Sequence, residues 1–289
     1  MSAALDAIDQ GHPLRTMACR HGTQAWREAG TGPALVLLHG IGSGSLAWAG
    51  QFEAFAATHR VLAWDAPGYG ASSPLATATP MASDYAQALA DWLAGLGIEA
   101  SIVVGHSLGA LVAAAFAARP ATPGGAPLGA HLQHLVLASP AQGYGASPAA
   151  VRTAKWRERV DLIQRLGPQG LADERAARLC TPGASAATVD LVRWNMARVT
   201  PGGYAQAAYM LAHDMLAPYA AAAQAPIAVL CGELDTVTPA AASAALAHAL
   251  DAPFHGLPGA AHACYVEDPR QFNATLRAVL QAREALHHD

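Results

Sequence analysis

The stretch Ser101-Ile102-Val103-Val104-Gly105-His106-Ser107-Leu108-Gly109, running on into an alanine-rich apolar segment up to Arg119, constrains this chain more than any other feature. A short β-branched run reads as a buried strand, and Leu108 to Arg119, closed by Pro120, reads as a helix. The chain must therefore reverse from strand to helix within a few residues. Glycines two positions before and two after Ser107 let neighbouring backbone approach without a Cβ in the way. The turn lifts Ser107 into a strained conformation at its apex. A unit of this kind needs a sheet beneath it and helices on the sheet's faces.

The rest of the chain supplies both. Residues 16–29 alternate imperfectly, as an opening hairpin or a pair of edge strands would. Ala34–Leu38, Arg60–Trp64 and Leu135–Ala138 read as strands. Leu46–Ala57 and Ser83–Leu96 read as helices, the second with Tyr85, Leu89, Trp92, Leu93 and Leu96 along one face. Strand–helix alternation predicts a largely parallel sheet covered on both sides, with its working loops beyond the carboxyl ends of the strands. The rhythm breaks after Pro140. Helix-like segments at 154–166, 170–179, 185–198 and 202–215 follow, before a strand at Ile227–Leu230, a helix at 240–250, an extended piece at Ala252–Leu257 and a closing helix at 267–286. The expected organisation is an α/β core of residues 1–140 and 220–289, with residues 141–219 inserted as a helical cap.

Composition excludes several function classes. Apolar residues are 53% and charged residues 13% of 289, which leaves no room for a disordered chain. A net charge of −4, with 17 basic residues in no long run, gives nucleic acid no footprint, so no nucleic-acid partner is expected. The amino end lacks a basic opening followed by an apolar core, and no apolar stretch approaches membrane-spanning length. These features predict a cytoplasmic protein with no membrane association. Cys19, Cys180, Cys231 and Cys264 are far apart and read as reduced thiols. The thirteen histidines include no HExxH pattern, so no metal is expected.

Ser107 sits in G-x-S-x-G, and a serine hydroxyl needs a general base to become a nucleophile. His262, in Gly259-Ala260-Ala261-His262-Ala263, follows the last short strand and can face the turn. Asp235, in the loop after the strand that ends at Cys231, is placed to orient the imidazole and stabilise its protonated form. Glu233 is a weaker acid candidate, lying closer to the strand exit. Asp214 reads as a surface or cap-contact residue, His255 as packed or superficial, and His106 as a support for nearby loops. An oxyanion hole is expected from the backbone N–H groups of Leu108 and Ile41, with Gly42 in reserve. The run His39–Gly44 lacks the lysine and Ser/Thr ending of a phosphate loop.

Together, His39-Gly40 with Trp48, the segment Asp65-Ala66-Pro67-Gly68-Tyr69-Gly70, the Ser107 turn, Asp235 and His262 resemble the α/β-hydrolase family, in the family's usual order. The resemblance implies the α/β-hydrolase fold and a serine hydrolase acting on a small carboxylic ester or enol lactone through an acyl-enzyme, with water as second substrate and no cofactor. Serine in the turn argues against dehalogenases and epoxide hydrolases, which have aspartate there. Carbon–carbon hydrolases of aromatic ring-cleavage products often carry asparagine before the nucleophile and tryptophan after the histidine. This chain has His106 and Ala263, so that activity is the alternative, with a non-catalytic ligand-binding module behind it. Residues 201–205, leading to Asp214, resemble the caps of enol-lactonases. Trp156, Trp194, Met196, Tyr204, Tyr209 and Met210 are the candidate substrate-binding residues, and Arg193 and Arg198 could attract an acid. The oligomeric state is not legible.

Overall fold

The computed structural model describes residues 3–99, 101–119 and 132–284. Eight strands form one sheet: β1 (Arg15–Cys19), β2 (Gly22–Ala29), β3 (Ala34–Leu38), β4 (Arg60–Asp65), β5 (Ser101–His106), β6 (Leu132–Ala138), β7 (Ile227–Gly232) and β8 (Phe254–Leu257). Their order is β1-β2-β4-β3-β5-β6-β7-β8. β2 pairs antiparallel with β1 and with β4, and all other neighbours run parallel. The expected opening hairpin is therefore the antiparallel edge of a sheet whose parallel part carries the crossovers.

Alternation along the strands divides the core in two. Val36, Leu38, Leu62, Trp64, Val103, Leu135 and Leu137 face one side. There they pack on α3 (Ala82–Gly95) and α4 (Leu108–Ala117), through Tyr85, Leu89, Trp92 and Leu111. Leu35, Leu37, Val61, Ala63, Val104 and Val136 face the other. They meet α2 (Ala49–Phe55) and α11 (Pro269–Glu284), which contribute Phe52, Phe55, Phe272 and Leu276. Each buried side chain of this size stabilises by roughly 1.5–3 kcal/mol relative to exposure. Every residue of α4 is buried, which explains its alanines: small side chains let a helix lie close to the sheet.

Boundaries differ from expectation where local chemistry intervenes. The helix expected over 46–57 begins with a 3₁₀ turn at Ser45–Trp48. The closing helix expected from 267 begins instead at Pro269 as α11, and a separate single turn, α10 (Cys264–Glu267), precedes it. Pro120, expected to end α4, lies outside the described residues, as do 285–286 of the closing helix. Ahead of the sheet, α1 (Ala3–Gly11) is a helix with no counterpart in the sequence reading.

Between β6 and β7 the chain forms α5 (Ala149–Arg175), α6 (Ala186–Met196), α7 (Pro201–His213) and α8 (Leu216–Ala222), a helical cap, and α9 (Ala240–Ala249) then joins β7 to β8. α5 bends at Gly167-Pro168, where Gly167 takes φ 65° and ψ 175°. Pro168 disfavours a helical residue before it and lacks an N–H, so the two expected helices are two arms of one bent element. Thr200 and Asp214 each tie the cap to the core through a polar contact. Thr200 accepts from Gly203 N at 3.0 Å, capping α7, and donates to Gly68 O at 2.6 Å. Asp214 accepts from Ala82 N at 2.7 Å and Met215 N at 2.8 Å. Asp214 is thus a buried residue that supplies the first turn of α3 with an acceptor, not a surface group. Among the described residues no helix is long and apolar enough to cross a membrane. All four cysteines are free thiols.

Candidate active site

β5 ends at His106 and α4 begins at Leu108, so Ser107 alone makes the turn, at φ 52° and ψ −115°. This strained conformation is held from both sides. Ser107 N donates to Ala138 O at 2.9 Å, and Ser107 O accepts from Ala110 N and Ala141 N, both at 3.1 Å. The flanking glycines are sterically required. A Cβ on Gly105 would lie 2.4 Å from Gly109 O, and one on Gly109 would lie 2.3 Å from Leu38 O.

His262 and Asp235 meet from separate loops. His262 Nδ1 and Asp235 Oδ2 are 2.8 Å apart, and both side chains are nearly inaccessible. Because a carboxylate can only accept, Nδ1 carries the proton and Nε2 is left free to act as a base. Asp235 is itself fixed by donors. Val237 N and Thr238 N reach Oδ1 at 2.8 and 2.9 Å, and the Thr238 hydroxyl reaches Oδ2 at 2.8 Å. Burial alone would raise this carboxyl, but the hydrogen bond and charge of His262, with the Thr238 donors, hold it well below the usual carboxylate range. Thr238 also lies 3.2 Å from His262 Nδ1 and 3.0 Å from Ser139 O, so one hydroxyl touches acid, imidazole and the loop after β6. Nothing in its local sequence signalled that role. Glu233 is exposed, and His255 half-buried on β8.

His106 is buried beneath this pair. Its Nε2 is 2.8 Å from His262 O, and its ring lies 4.8 Å from that of His262 and 4.7 Å from Tyr265. Burial and the neighbouring His262 push its pKa down to about 3, so it is an uncharged imidazole donating to the His262 carbonyl. Further support comes from Glu267, which accepts from Ala261 N at 2.9 Å and from cap residue Thr181 N at 2.8 Å.

The loop after β3 forms the adjacent rim. His39 Nε2 accepts from Ala66 N at 3.0 Å, which assigns its Nδ1–H to Gly40 O at 2.8 Å. Tyr69 donates its hydroxyl to Ile41 O at 2.8 Å. Gly40 is so close to the turn that a Cβ there would sit 3.0 Å from Ser107 Cβ. Leu108, as the first residue of α4, has no intrahelical partner for its N–H.

A cavity of about 640 Å³ opens between these loops and the cap, with Ser107, His262, Ile41 and Thr238 on one wall. Of the six cap candidates, Met196 and Tyr204 line it. The other four do not. Trp194 is buried against Leu5 of α1 and Leu46, so the helix missed in the sequence takes up its surface. Trp156 and Tyr209 pack edge to face at 5.6 Å, and Tyr209 stacks on His213 at 4.0 Å. Met210 fills the seam between α7 and the core with Tyr69, Tyr85 and Leu108. Arg193 and Arg198 are also away from the cavity. Arg193 pairs with Asp190 and lies 3.5 Å from Asp173, and the Arg198 guanidinium lies 3.5 Å over the Trp194 ring. The arginines on the cavity wall are Arg159, Arg175 and Arg178, which a one-dimensional reading could not separate from solvent-facing ones.

A strained serine turn on a largely parallel sheet, lining one cavity with a buried His–Asp pair beneath a helical cap, is the arrangement of the α/β-hydrolase class. The chain belongs to the alpha/beta hydrolase family, whose model matches residues 35–275. Among curated proteins it is similar to an uncharacterised protein of Mycobacterium tuberculosis, 43% identical over 110 residues, 38% of this chain and 32% of that protein. It is also similar to a 2-hydroxy-6-oxononadienedioate/2-hydroxy-6-oxononatrienedioate hydrolase of Burkholderia vietnamiensis, 41% identical over 121 residues, 40% of this chain and 39% of the other. The matched segment thus spans about a third of the length of the first of these relatives. Among solved structures, an esterase from Thermogutta terrifontis with malate bound superposes with a TM-score of 0.81, 23% identity and coverage of 93% of this chain and 98% of that one. The enol-lactonase of Burkholderia xenovorans LB400 gives 0.79, 22%, 92% and 100%. At these identities the two structures speak for the fold.

Proposed function

We propose that this protein hydrolyses a small carboxylic ester or enol lactone through an acyl-enzyme on Ser107. The observation that carries the proposal is the meeting, at one cavity, of a serine at φ 52° with the His262–Asp235 pair. In this reading His262 Nε2 takes the Ser107 proton as Oγ attacks the substrate carbonyl, and Asp235 stabilises the imidazolium without being protonated. The N–H groups of Leu108 and Ile41 stabilise the oxyanion. Protonated His262 then donates to the leaving oxygen, which in a lactone stays attached to the product, and water repeats the sequence to release the acid. Residues 1–140 and 220–289 act as the catalytic core, and 141–219 as the cap that shapes the substrate space. The free thiols accord with a reducing, cytoplasmic setting.

The test is a fluorophosphonate label together with a substrate panel. The label should attach to Ser107 and vanish in Ser107→Ala, which should lose activated-ester hydrolysis by at least about a thousandfold while keeping its fold. Retained labelling and activity in that variant would remove Ser107 from the mechanism. The second reading, carbon–carbon bond hydrolysis, is favoured by the 41% identity over 121 residues to the dioate hydrolase. His106 and Ala263, where such hydrolases often carry asparagine and tryptophan, count against it. The same panel separates the two readings by kcat/KM for small esters, enol lactones and ring-cleavage diketones. A hundredfold preference for a diketone, about 2.7 kcal/mol in relative barrier, would put the second reading first.

A further inference from the structure

The cap side of the cavity is cationic. Its described lining includes Arg159, Arg175 and Arg178, and no aspartate, glutamate or lysine. This is unexpected on a chain of net charge −4. With α5 bent, residues from both of its arms and from the turn after it line the one cavity. Arg159 comes from the arm before Gly167, Arg175 from the arm after it, and Arg178 from the 3₁₀ turn that follows, three residues on. On a straight helix Arg159 and Arg175 would stand about 24 Å apart along the axis. The proline bend therefore has a consequence for recognition.

Nearby acids leave these charges incompletely matched at the cavity. Arg175 Nε is 3.5 Å from Glu174 Oε1 but makes no hydrogen bond there, and it is buried. Arg159 gives one N–H to Lys155 O at 2.9 Å and lies 5.8 Å from the Tyr144 ring, another residue of the lining. Burial raises the pKa of the Tyr204 hydroxyl in the same wall, and the positive charges of Arg159 and Arg175 oppose that rise while Glu158 adds to it. Glu158 and Asp161 flank Arg175 on the outer face of α5, away from the cavity lining. A guanidinium offers up to five donors in a planar fork, and an anion with two oxygens in one plane fits that fork best.

Resting on the acyl-enzyme reading above, we propose that the substrate carries a carboxylate, engaged by Arg159, Arg175 and Arg178 on the cap wall while its ester or lactone carbonyl sits at Ser107. The protein is then selective for half-esters or lactones of dicarboxylic acids, and its product is a dianion or hydroxy-dianion. Ionic recognition across a partly enclosed cavity also predicts salt sensitivity, since screening weakens charge attraction at partly exposed sites.

The experiment compares kcat/KM for monomethyl and dimethyl esters of malonate, succinate, glutarate and adipate, at low and high ionic strength. The full chain and the variants Arg175→Gln, Arg175→Lys and Arg159→Gln/Arg178→Gln are used. For at least one chain length the monomethyl ester should exceed the dimethyl ester by tenfold or more at low salt. That ratio should fall at least tenfold in the glutamine variants, partly return with lysine, and shrink with salt. Because it is a ratio, general damage to the site cancels. A wild-type ratio near or below one at every length overturns the proposal, as does an unchanged ratio in the variants. If the wild type cleaves no ester, the hydrolase reading is what has failed. Calorimetric titration with the four free dicarboxylates then decides the anion site alone. Millimolar or tighter binding that weakens tenfold in Arg175→Gln sustains it, and no binding removes it.

Discussion

The two walls of the cavity are built on different principles. On the sheet-edge wall His106, Ser107, Asp235 and His262 are buried, and the acid and imidazole are held from more than one element: Asp235 by donors of its own loop and by His262, and His262 in turn by Asp235 and the His106 ring. On the cap wall the charged groups are single side chains from one bent helix and the turn after it, with Arg178 exposed and Arg159 and Arg175 half-buried. In the proposed reading the first wall supplies dipoles that need not reorganise during reaction, which is where rate enhancement arises. The second, with partly exposed single side chains, carries the discrimination among substrates in that reading. Changes on the sheet-edge wall should therefore lower kcat, and changes on the cap wall should redistribute kcat/KM among substrates.

The largest effect that can break this contrast is Asp235→Asn. An amide cannot hold His262 in the tautomer that leaves Nε2 basic, nor neutralise the imidazolium. kcat for any cleaved ester should fall on the order of 10³–10⁴, with KM little changed. Tyr204→Phe on the cap wall, measured alongside, should move kcat/KM by less than about tenfold. Equal losses from both would show that the walls do not differ in kind.

A smaller effect concerns Thr238, whose hydroxyl sits between Asp235 Oδ2, His262 Nδ1 and Ser139 O. Thr238→Val removes one donor to a buried carboxylate while keeping the shape. Hydrogen bonds to charged groups contribute roughly 1.5–3 kcal/mol, so kcat should drop about tenfold or more. Thr238→Ser, which keeps the hydroxyl, should recover most of it. If Thr238→Ser loses as much as Thr238→Val, the methyl packing matters and the hydroxyl does not.

What could be read in advance follows the same division. The alternation of apolar strands and helices, the glycine-flanked serine, and the positions of Asp235 and His262 after strands β7 and β8 all rest on short-range patterns. Covalent spacing and sheet topology translate such patterns directly into place. The cap resisted reading because its aromatic residues are buried whichever way they face. Trp194 and Tyr209 carry the same local signal as Tyr204, and only packing against α1 or His213 separates them. α1 itself was missed because its apolar residues, Leu5 and Ile8, cluster with Leu46, Leu191 and Trp194, far along the chain. Thr238 and Asp214 likewise gain their importance from partners that no local window contains.

The smallest effect tests burial itself. His106 is uncharged in the folded protein because burial and the adjacent His262 depress its pKa to about 3, whereas an unfolded chain would protonate it near pH 6.5. Between those values the unfolded state binds a proton that the folded state excludes, so this residue's contribution to stability falls as pH falls. From pH 7 to pH 5 the loss attributable to His106 should be about 2 kcal/mol. His106→Gln, which can still donate to the His262 carbonyl, should be spared that portion. Other buried histidines with lowered values, such as His39, titrate alike in both proteins and cancel. Asp235 acts in a separate window, because a depressed carboxyl costs stability only below its unfolded value near 3.8. Urea unfolding of both proteins at pH 7 and pH 5 makes the comparison. Parallel losses would mean that His106 admits a proton without penalty. The sheet-edge wall would then be better hydrated, and closer in character to the cap wall, than its hydrogen bonds imply.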